Sequence, residues 1–166
     1  MTQKGPLDLF DKRALLFLPA SNPRAIAHAR ESDADLVILD LEDAVKPADK
    51  ESAREGAIAA LKEDWPMPVA IRVNGAHTEW HGPDVVAVMH EKPDAVVVPR
   101  VEARDDLGFV RNQTGLPVLA MIETAKGVLA ADTIGHEAAA LIAGTNDLAA
   151  SLRLPRGAGG RGRRAQ

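Results

Sequence analysis

The chain of 166 residues contains no cysteine and no tyrosine, and its 3% of aromatic residues are Phe10, Phe17, Phe109, Trp65 and Trp80. Without cysteine there is no disulfide, no thiolate nucleophile and no thiolate-bound metal. That fits a reducing compartment and makes the cytoplasm the expected location. With so few aromatics the core has to be built from Val, Ile, Leu and Ala, a composition suited to buried parallel strands covered by alanine-rich helices. No window approaches the ~18 apolar residues of a membrane span, and residues 1–11 lack the apolar stretch of a signal peptide. A soluble protein without a membrane partner is expected. Basic residues are outnumbered by acidic ones, 20 to 24. The net charge is −4, and residues 151–166 hold five arginines and no acid, so removing them leaves −9 on residues 1–150. Such a body does not attract a polyanion, and no nucleic-acid partner is expected. The Gly/Arg-rich tail, residues 153–166, has no apolar periodicity and reads as a disordered, solvated end.

What is present is ordinary globular composition, 46% hydrophobic and 27% charged, enough for one core. Aliphatic runs at 15–19, 35–41, 69–73, 95–98, 118–122 and 140–143 predict six strands. Between them, 22–32, 48–63, 80–91 and 124–138 carry helical patterns. The less periodic 104–113 ends before the breaker Gly115-Leu116-Pro117. A βα repeat of roughly 25 residues specifies a parallel sheet, doubly wound or closed into a barrel. No Gly-rich phosphate loop follows the first strand, and polar residues follow nearly every strand. Both features favour an α/β fold of the TIM (β/α)8 barrel type. Only about six βα units are present, so the first and sixth strands are expected to lack partners, and the chain reads as a barrel cut off before closure. The expected organisation is an extension over 1–12, a partial barrel over 13–152, and the tail over 153–166.

The strand ends supply Pro19 and Ala20, Glu42 and Asp43, Arg72 and Asn74, Pro99, Arg100 and Glu102, Glu123, and Asn146 with Asp147. In a barrel these gather on one face. Carboxylates at the ends of neighbouring strands five and six would lie about 4.8 Å apart. Like charges that close are costly unless one is protonated or a cation lies between them. Carboxylates without Cys or His beside them select a hard cation, Mg²⁺ or Mn²⁺. Glu123 and Asp147 are therefore candidate metal ligands; alternatively each caps the helix that follows it. For Glu42 and Asp43 the structural alternative is a cap and a salt bridge to Lys46. His77 and His81 are four apart but framed by Gly75 and Gly82-Pro83, which places them in an exposed loop. His28, His90 and His136 are expected on the surface. Asn22-Pro23-Arg24 reads as a helix start, or as a contact for CoA phosphates.

Six segments occur in a telling order: Arg13-Ala14-Leu15-Leu16-Phe17-Leu18-Pro19-Ala20, Asp40-Leu41-Glu42-Asp43-Ala44-Val45, Arg72-Val73-Asn74, Pro99-Arg100-Val101-Glu102, Met121-Ile122-Glu123-Thr124 and Gly144-Thr145-Asn146-Asp147-Leu148. Together they resemble the HpcH/HpaI aldolase and citrate lyase β-subunit (CitE-like) superfamily, in its CoA-lyase branch; the other branch carries His where this chain has Asp43. The resemblance implies a Mg²⁺-dependent carbon–carbon lyase that cleaves a citryl, malyl or citramalyl thioester to an acyl-thioester and an oxo-acid. It implies that Glu123 and Asp147 bind Mg²⁺, that Arg72 contacts substrate, and that Glu42 and Asp43 order the water around the metal. Glu123 would then also stand against the metal-bound substrate. The implied partners are an oxo-acid and a CoA or acyl-carrier-protein thioester, in a homo-oligomer whose neighbouring subunit often supplies a further acid from a C-terminal segment. Position 100 is Arg where Lys is commoner in the family. The competing expectation is a non-catalytic barrel remnant that binds metal and oxo-acid weakly or serves as an inactive subunit.

Overall fold

The computed structural model describes residues 7–9 and 11–154. From residue 155 onward the tail, with the reading made for it, lies outside the described residues, as do residues 1–6 of the extension.

Six strands, β1 (Leu15–Pro19), β2 (Leu36–Asp40), β3 (Val69–Arg72), β4 (Ala95–Val98), β5 (Val118–Ile122) and β6 (Ala140–Ala143), form one sheet in the order of the chain. Every pairing is parallel. Six helices alternate with them: α1 (Pro23–Arg30), α2 (Lys50–Leu61), α3 (His81–Glu91), α4 (Gly108–Thr114), α5 (Ala125–Gly135) and α6 (Thr145–Ser151). A doubly wound sheet reverses its strand order at a switch point, and this one does not. Right-handed crossovers that all step the same way put every helix on one face and leave the other face as the inside of a barrel wall. The strands thus form the half-barrel expected from the repeat.

Side chains alternate accordingly. Val37, Leu39, Val69, Ile71, Val96, Val98, Val118 and Ala120 join the helices in the larger core cluster. Leu36, Ile38, Ala70, Ala95, Val97, Leu119 and Met121 form a second cluster on the inner face, with Leu15, Phe17, Ala140 and Ile142 against it. Among the described residues β1 and β6 each pair on one side only. Their burial is partial, whereas β2 to β5 are buried throughout.

The helix starts follow local chemistry. Asn22 caps α1 by accepting the Ala25 N–H, with Pro23 in the first turn, which is the helix-start role expected of that segment. Thr124 caps α5 by accepting the Gly127 N–H at 3.0 Å. The weakly periodic fourth segment is a 3₁₀ turn, Arg104–Leu107, running into α4. No helix among the described residues is long and apolar enough to cross a membrane.

Candidate active site

The inner-face rows end in charge. Leu36 and Ile38 lead to Asp40, Ala70 leads to Arg72, and Leu119 and Met121 lead to Glu123. Alternation therefore delivers three ionisable side chains to one end of the barrel wall. Asp40 and Arg72 stand opposite each other in the β2–β3 register. They meet as a fork: Arg72 Nε donates to Asp40 Oδ1 and Nη2 to Oδ2, both at 2.6 Å. The same carboxylate accepts the N–H groups of Glu42 at 2.8 Å and Ala44 at 3.0 Å, which turns the chain after β2 back over the sheet.

That turn brings Glu42 Oε2 to 3.0 Å from Arg72 Nη1. The pair is close but not aligned as a hydrogen bond, so this buried oxygen keeps an open acceptor position. Phe17 lies under the Arg72 guanidinium at 5.4 Å, and Met121 Sδ is 3.6 Å from Nη1. Burial opposes the Arg72 charge, but the bonds to Asp40 and the fields of Asp40, Glu42 and Asp43 outweigh it and raise its pKa. Burial likewise pushes Glu42 up to about 7, against the pull of Arg72 and with the push of Asp43, Glu123 and Asp40.

Glu123 follows β5 and is 2% exposed. Its Oε1 accepts the Arg100 N–H at 2.7 Å, and to present that N–H Arg100 adopts a left-handed backbone with φ 52°. Burial raises the Glu123 pKa; the Arg100 N–H works the other way, and Asp147 raises it further. Gly144 seats the carboxylate from the other side, since a Cβ there would lie 2.6 Å from Glu123 Oε2. Thr124, not Glu123, caps α5, and α6 has no side-chain cap, so the capping alternatives for Glu123 and Asp147 do not hold.

Two cavities open at this end. Arg72, Met121, Glu123, Asn146 and Asp147 line one of about 410 Å³. Glu42, Lys50, Asn74, Trp80 and Arg100 line a larger one of about 660 Å³, and Asp43 borders both. Glu102 and Lys126 pair across its rim at 3.3 Å. The structure thus brings together Arg72, Glu42, Asp43, Glu123 and Asp147, while Pro19 and Ala20 contribute no polar side chain.

Two expectations need correcting, for Asp147 and His81, and the contact expected of Arg72 is narrowed. Asp147 stands in the first turn of α6, not at the end of a strand, because the helix begins immediately after Gly144. The Nε/Nη2 edge of Arg72, the one suited to a two-point grip on a substrate carboxylate, is taken by Asp40. His81 is not an exposed loop residue: it opens α3, is 8% exposed, and its Nδ1 lies 2.7 Å from the Asn74 carbonyl oxygen. His77 is exposed.

Among the described residues no group of three or more His, Asp or Glu could hold a metal by itself. A pair of acidic side chains, one buried and held by a backbone N–H and the other half-exposed across an open cavity, is a donor set suited to Mg²⁺. That ion keeps water or substrate oxygens in its remaining positions. The residues present therefore fit a Mg²⁺ ion.

Comparisons with known proteins bear on the family and the fold. The family model described as HpcH/HpaI aldolase/citrate lyase matches residues 13–162. A (3S)-malyl-CoA thioesterase from Cereibacter sphaeroides is 41% identical over 145 residues, 84% of this chain and 51% of that protein. The citrate lyase subunit beta of Escherichia coli is 29% identical over 164 residues, 87% of this chain and 54% of that protein. The chain thus spans about half the length of the curated relatives it matches. The citrate lyase beta subunit of M. tuberculosis, solved with oxaloacetate and magnesium, superposes with a TM-score of 0.73 at 30% identity, over 84% of this chain and 60% of that one. With its ordered strand-end residues on a six-strand barrel wall, this chain belongs to the HpcH/HpaI aldolase/citrate lyase family.

Proposed function

We propose that this chain carries the metal and oxo-acid site of a Mg²⁺-dependent lyase that cleaves a 3-hydroxyacyl thioester of CoA or acyl-carrier protein. The products are an acyl-thioester and an oxo-acid. The observation that carries the reading is the convergence of Arg72, Asp43, Glu123 and Asp147 on one cavity of about 410 Å³, beside a larger one. The support from relatives is that a family member was solved with oxaloacetate and magnesium.

Glu123 and Asp147 would hold Mg²⁺, with Glu42 and Asp43 ordering water beside it. Held there, the ion would supply Lewis-acid polarisation of the oxygen that becomes the oxo-acid carbonyl. As the carbon–carbon bond breaks, the hydroxyl proton is lost to a base and the electron pair passes to the thioester as an enolate, which then takes a proton at carbon to give the acyl-thioester. Arg72 stays protonated throughout and places its Nη1 side toward the cavity, where it offsets negative charge on the carboxylate or the enolate. Asp40 fixes that guanidinium, and the Phe17 ring lies against its face. Glu42, with its pKa near 7, can hold or release a proton at the open Oε2.

A second reading is thioester hydrolysis, favoured by the relative of 41% identity, a malyl-CoA thioesterase. Incubation with malyl-CoA and Mg²⁺ separates the two. Lyase action releases acetyl-CoA and glyoxylate with no free thiol, whereas hydrolysis releases malate and free CoA. Neither product pair, together with oxaloacetate binding that EDTA leaves unchanged, would refute the proposal.

A further inference from the structure

Lys50 begins α2 and is 6% exposed, an unusual place for an ammonium group. Its Nζ donates to Leu41 O at 2.7 Å, to Glu42 O at 2.8 Å and to Asn74 Oδ1 at 2.6 Å. Three protons meet three acceptors, two after β2 and one after β3. Trp80 covers it, its ring centroid 5.2 Å away. The far partner is held just as firmly. Asn74 donates its N–H and its Nδ2 to Asp84 Oδ2, at 2.9 and 2.7 Å, and Arg54 Nε donates to Asp84 Oδ1 at 2.7 Å. The Asn74 carbonyl is met by His81 Nδ1 at 2.7 Å, which requires the proton on that nitrogen. Every polar atom of Asn74 is thereby committed, and Asp84 is completely buried.

We propose that Lys50 is a positioning residue of the site, whose ammonium ties the turn carrying Glu42 and Asp43 to the Arg72–Asn74 end of β3 and so sets where Glu42 stands against the Arg72 guanidinium. Its consequence for ligand binding rests on the function proposed above; the tie itself does not. Arg72 already answers the charge of Asp40 and Glu42, so what Lys50 adds is anchorage of the Leu41 and Glu42 carbonyls, without which the turn is free to move away from β3. Arg does not substitute, because a planar guanidinium cannot direct donors at three acceptors arranged around one point.

Lys50→Met keeps the alkyl stem and removes the charge, and Lys50→Arg keeps the charge and changes the geometry. Val110→Ala, on the buried face of α4, serves as a control for lost stability alone. Three readouts are taken: the Arg72 Nε–H proton resonance, the oxaloacetate affinity by calorimetry with Mg²⁺, and the thermal midpoint. In folded Lys50→Met the Arg72 resonance shifts or broadens and oxaloacetate binds at least about ten-fold more weakly, a change of about 1.4 kcal/mol. Lys50→Arg does not restore either, and Val110→Ala lowers the midpoint without moving them. An unchanged Arg72 resonance in folded Lys50→Met overturns the proposal. Should that variant not fold, the unaltered protein decides: slow proton exchange at the Lys50 ammonium upholds the tie, and exchange as fast as at surface lysines overturns it. If the unaltered protein binds no oxaloacetate with Mg²⁺, the functional proposal fails and the Arg72 resonance alone judges Lys50.

Discussion

Glu42 concentrates the electrostatics of the site in one carboxyl. Its pKa is pushed from 4.5 to about 7, burial being the largest cause, so the folded protein favours its protonated form. The sign follows from linkage: between these values the native state binds more protons than the unfolded chain, and stability falls as pH rises. This contribution is fully present below 4.5 and gone above about 7. Glu42→Gln keeps the shape without the ionisation. It is expected to match the unaltered protein near pH 4 and to exceed it by up to about 3 kcal/mol above pH 7. Urea unfolding across that range tests it, and parallel stability curves for the two proteins would count against the assignment. The pair Glu123 and Asp147 predicts something different. Glu123→Gln or Asp147→Asn relieves repulsion, so each variant stays folded, at equal or slightly higher thermal midpoint, yet loses Mg²⁺ binding in calorimetry. Normal Mg²⁺ binding in both would remove the ligand assignment. Arg72 and Glu123 were legible in the sequence because each closes an aliphatic run, whereas Asp147 lies four residues past its run, inside the first turn of α6. Asp40 was not legible, since it sits inside such a run and its partner is 32 residues away. Counting by twos from Leu36 and Ile38 would have found it on the inner face. Lys50 was hidden because two of its three acceptors are backbone carbonyls, which no side-chain pattern announces.

At the scale of elements, the start of α5 and the start of α6 hold Glu123 between them. Thr124 accepts the Gly127 N–H, so Thr124→Ala removes a cap and should cost about 1 kcal/mol in unfolding free energy. Because Thr124 follows Glu123 directly, a loosened α5 start should also weaken Mg²⁺ binding. Gly144→Ala is a sharper test. Its Cβ would lie 2.7 Å from the Glu123 Cβ as well as 2.6 Å from Oε2, so Glu123 has to move. Loss of Mg²⁺ affinity is expected without loss of the fold, and a Gly144→Ala protein that binds Mg²⁺ as before would show that Glu123 is not held there. Runs and periodicity made all six strands and the first five helices visible. Their ends shifted by a few residues where caps decide them, as at Asn22 and Thr124. The sequence sets no range for α6, because unlike α4 it is not bounded, among the described residues, by a second strand and a breaker such as Gly115-Leu116-Pro117, which frame a short helix.

For the whole molecule, the six-strand wall was legible from the repeat, and its sequential order is what separates a barrel from a doubly wound sheet. β1 and β6 have free edges among the described residues, and Leu16 and Leu141 are 37% and 42% exposed. Unpaired edges with apolar side chains invite pairing with other chains. Residues 1–166 expressed as a separate chain should therefore self-associate in sedimentation, and amide exchange should be slowest in β2 to β5 and fastest in β1 and β6. A monodisperse monomer with uniform protection across the strands would contradict this. The strand order has one more consequence, for the order of events in synthesis. Partners in register, such as Leu15 and Leu36, Val37 and Val69, Ala70 and Ala95, Val96 and Val118, or Leu119 and Ala140, are always in consecutive units. Each of β2 to β6 finds a template in the strand translated just before it, so these five pairings can form one after another as the chain leaves the ribosome.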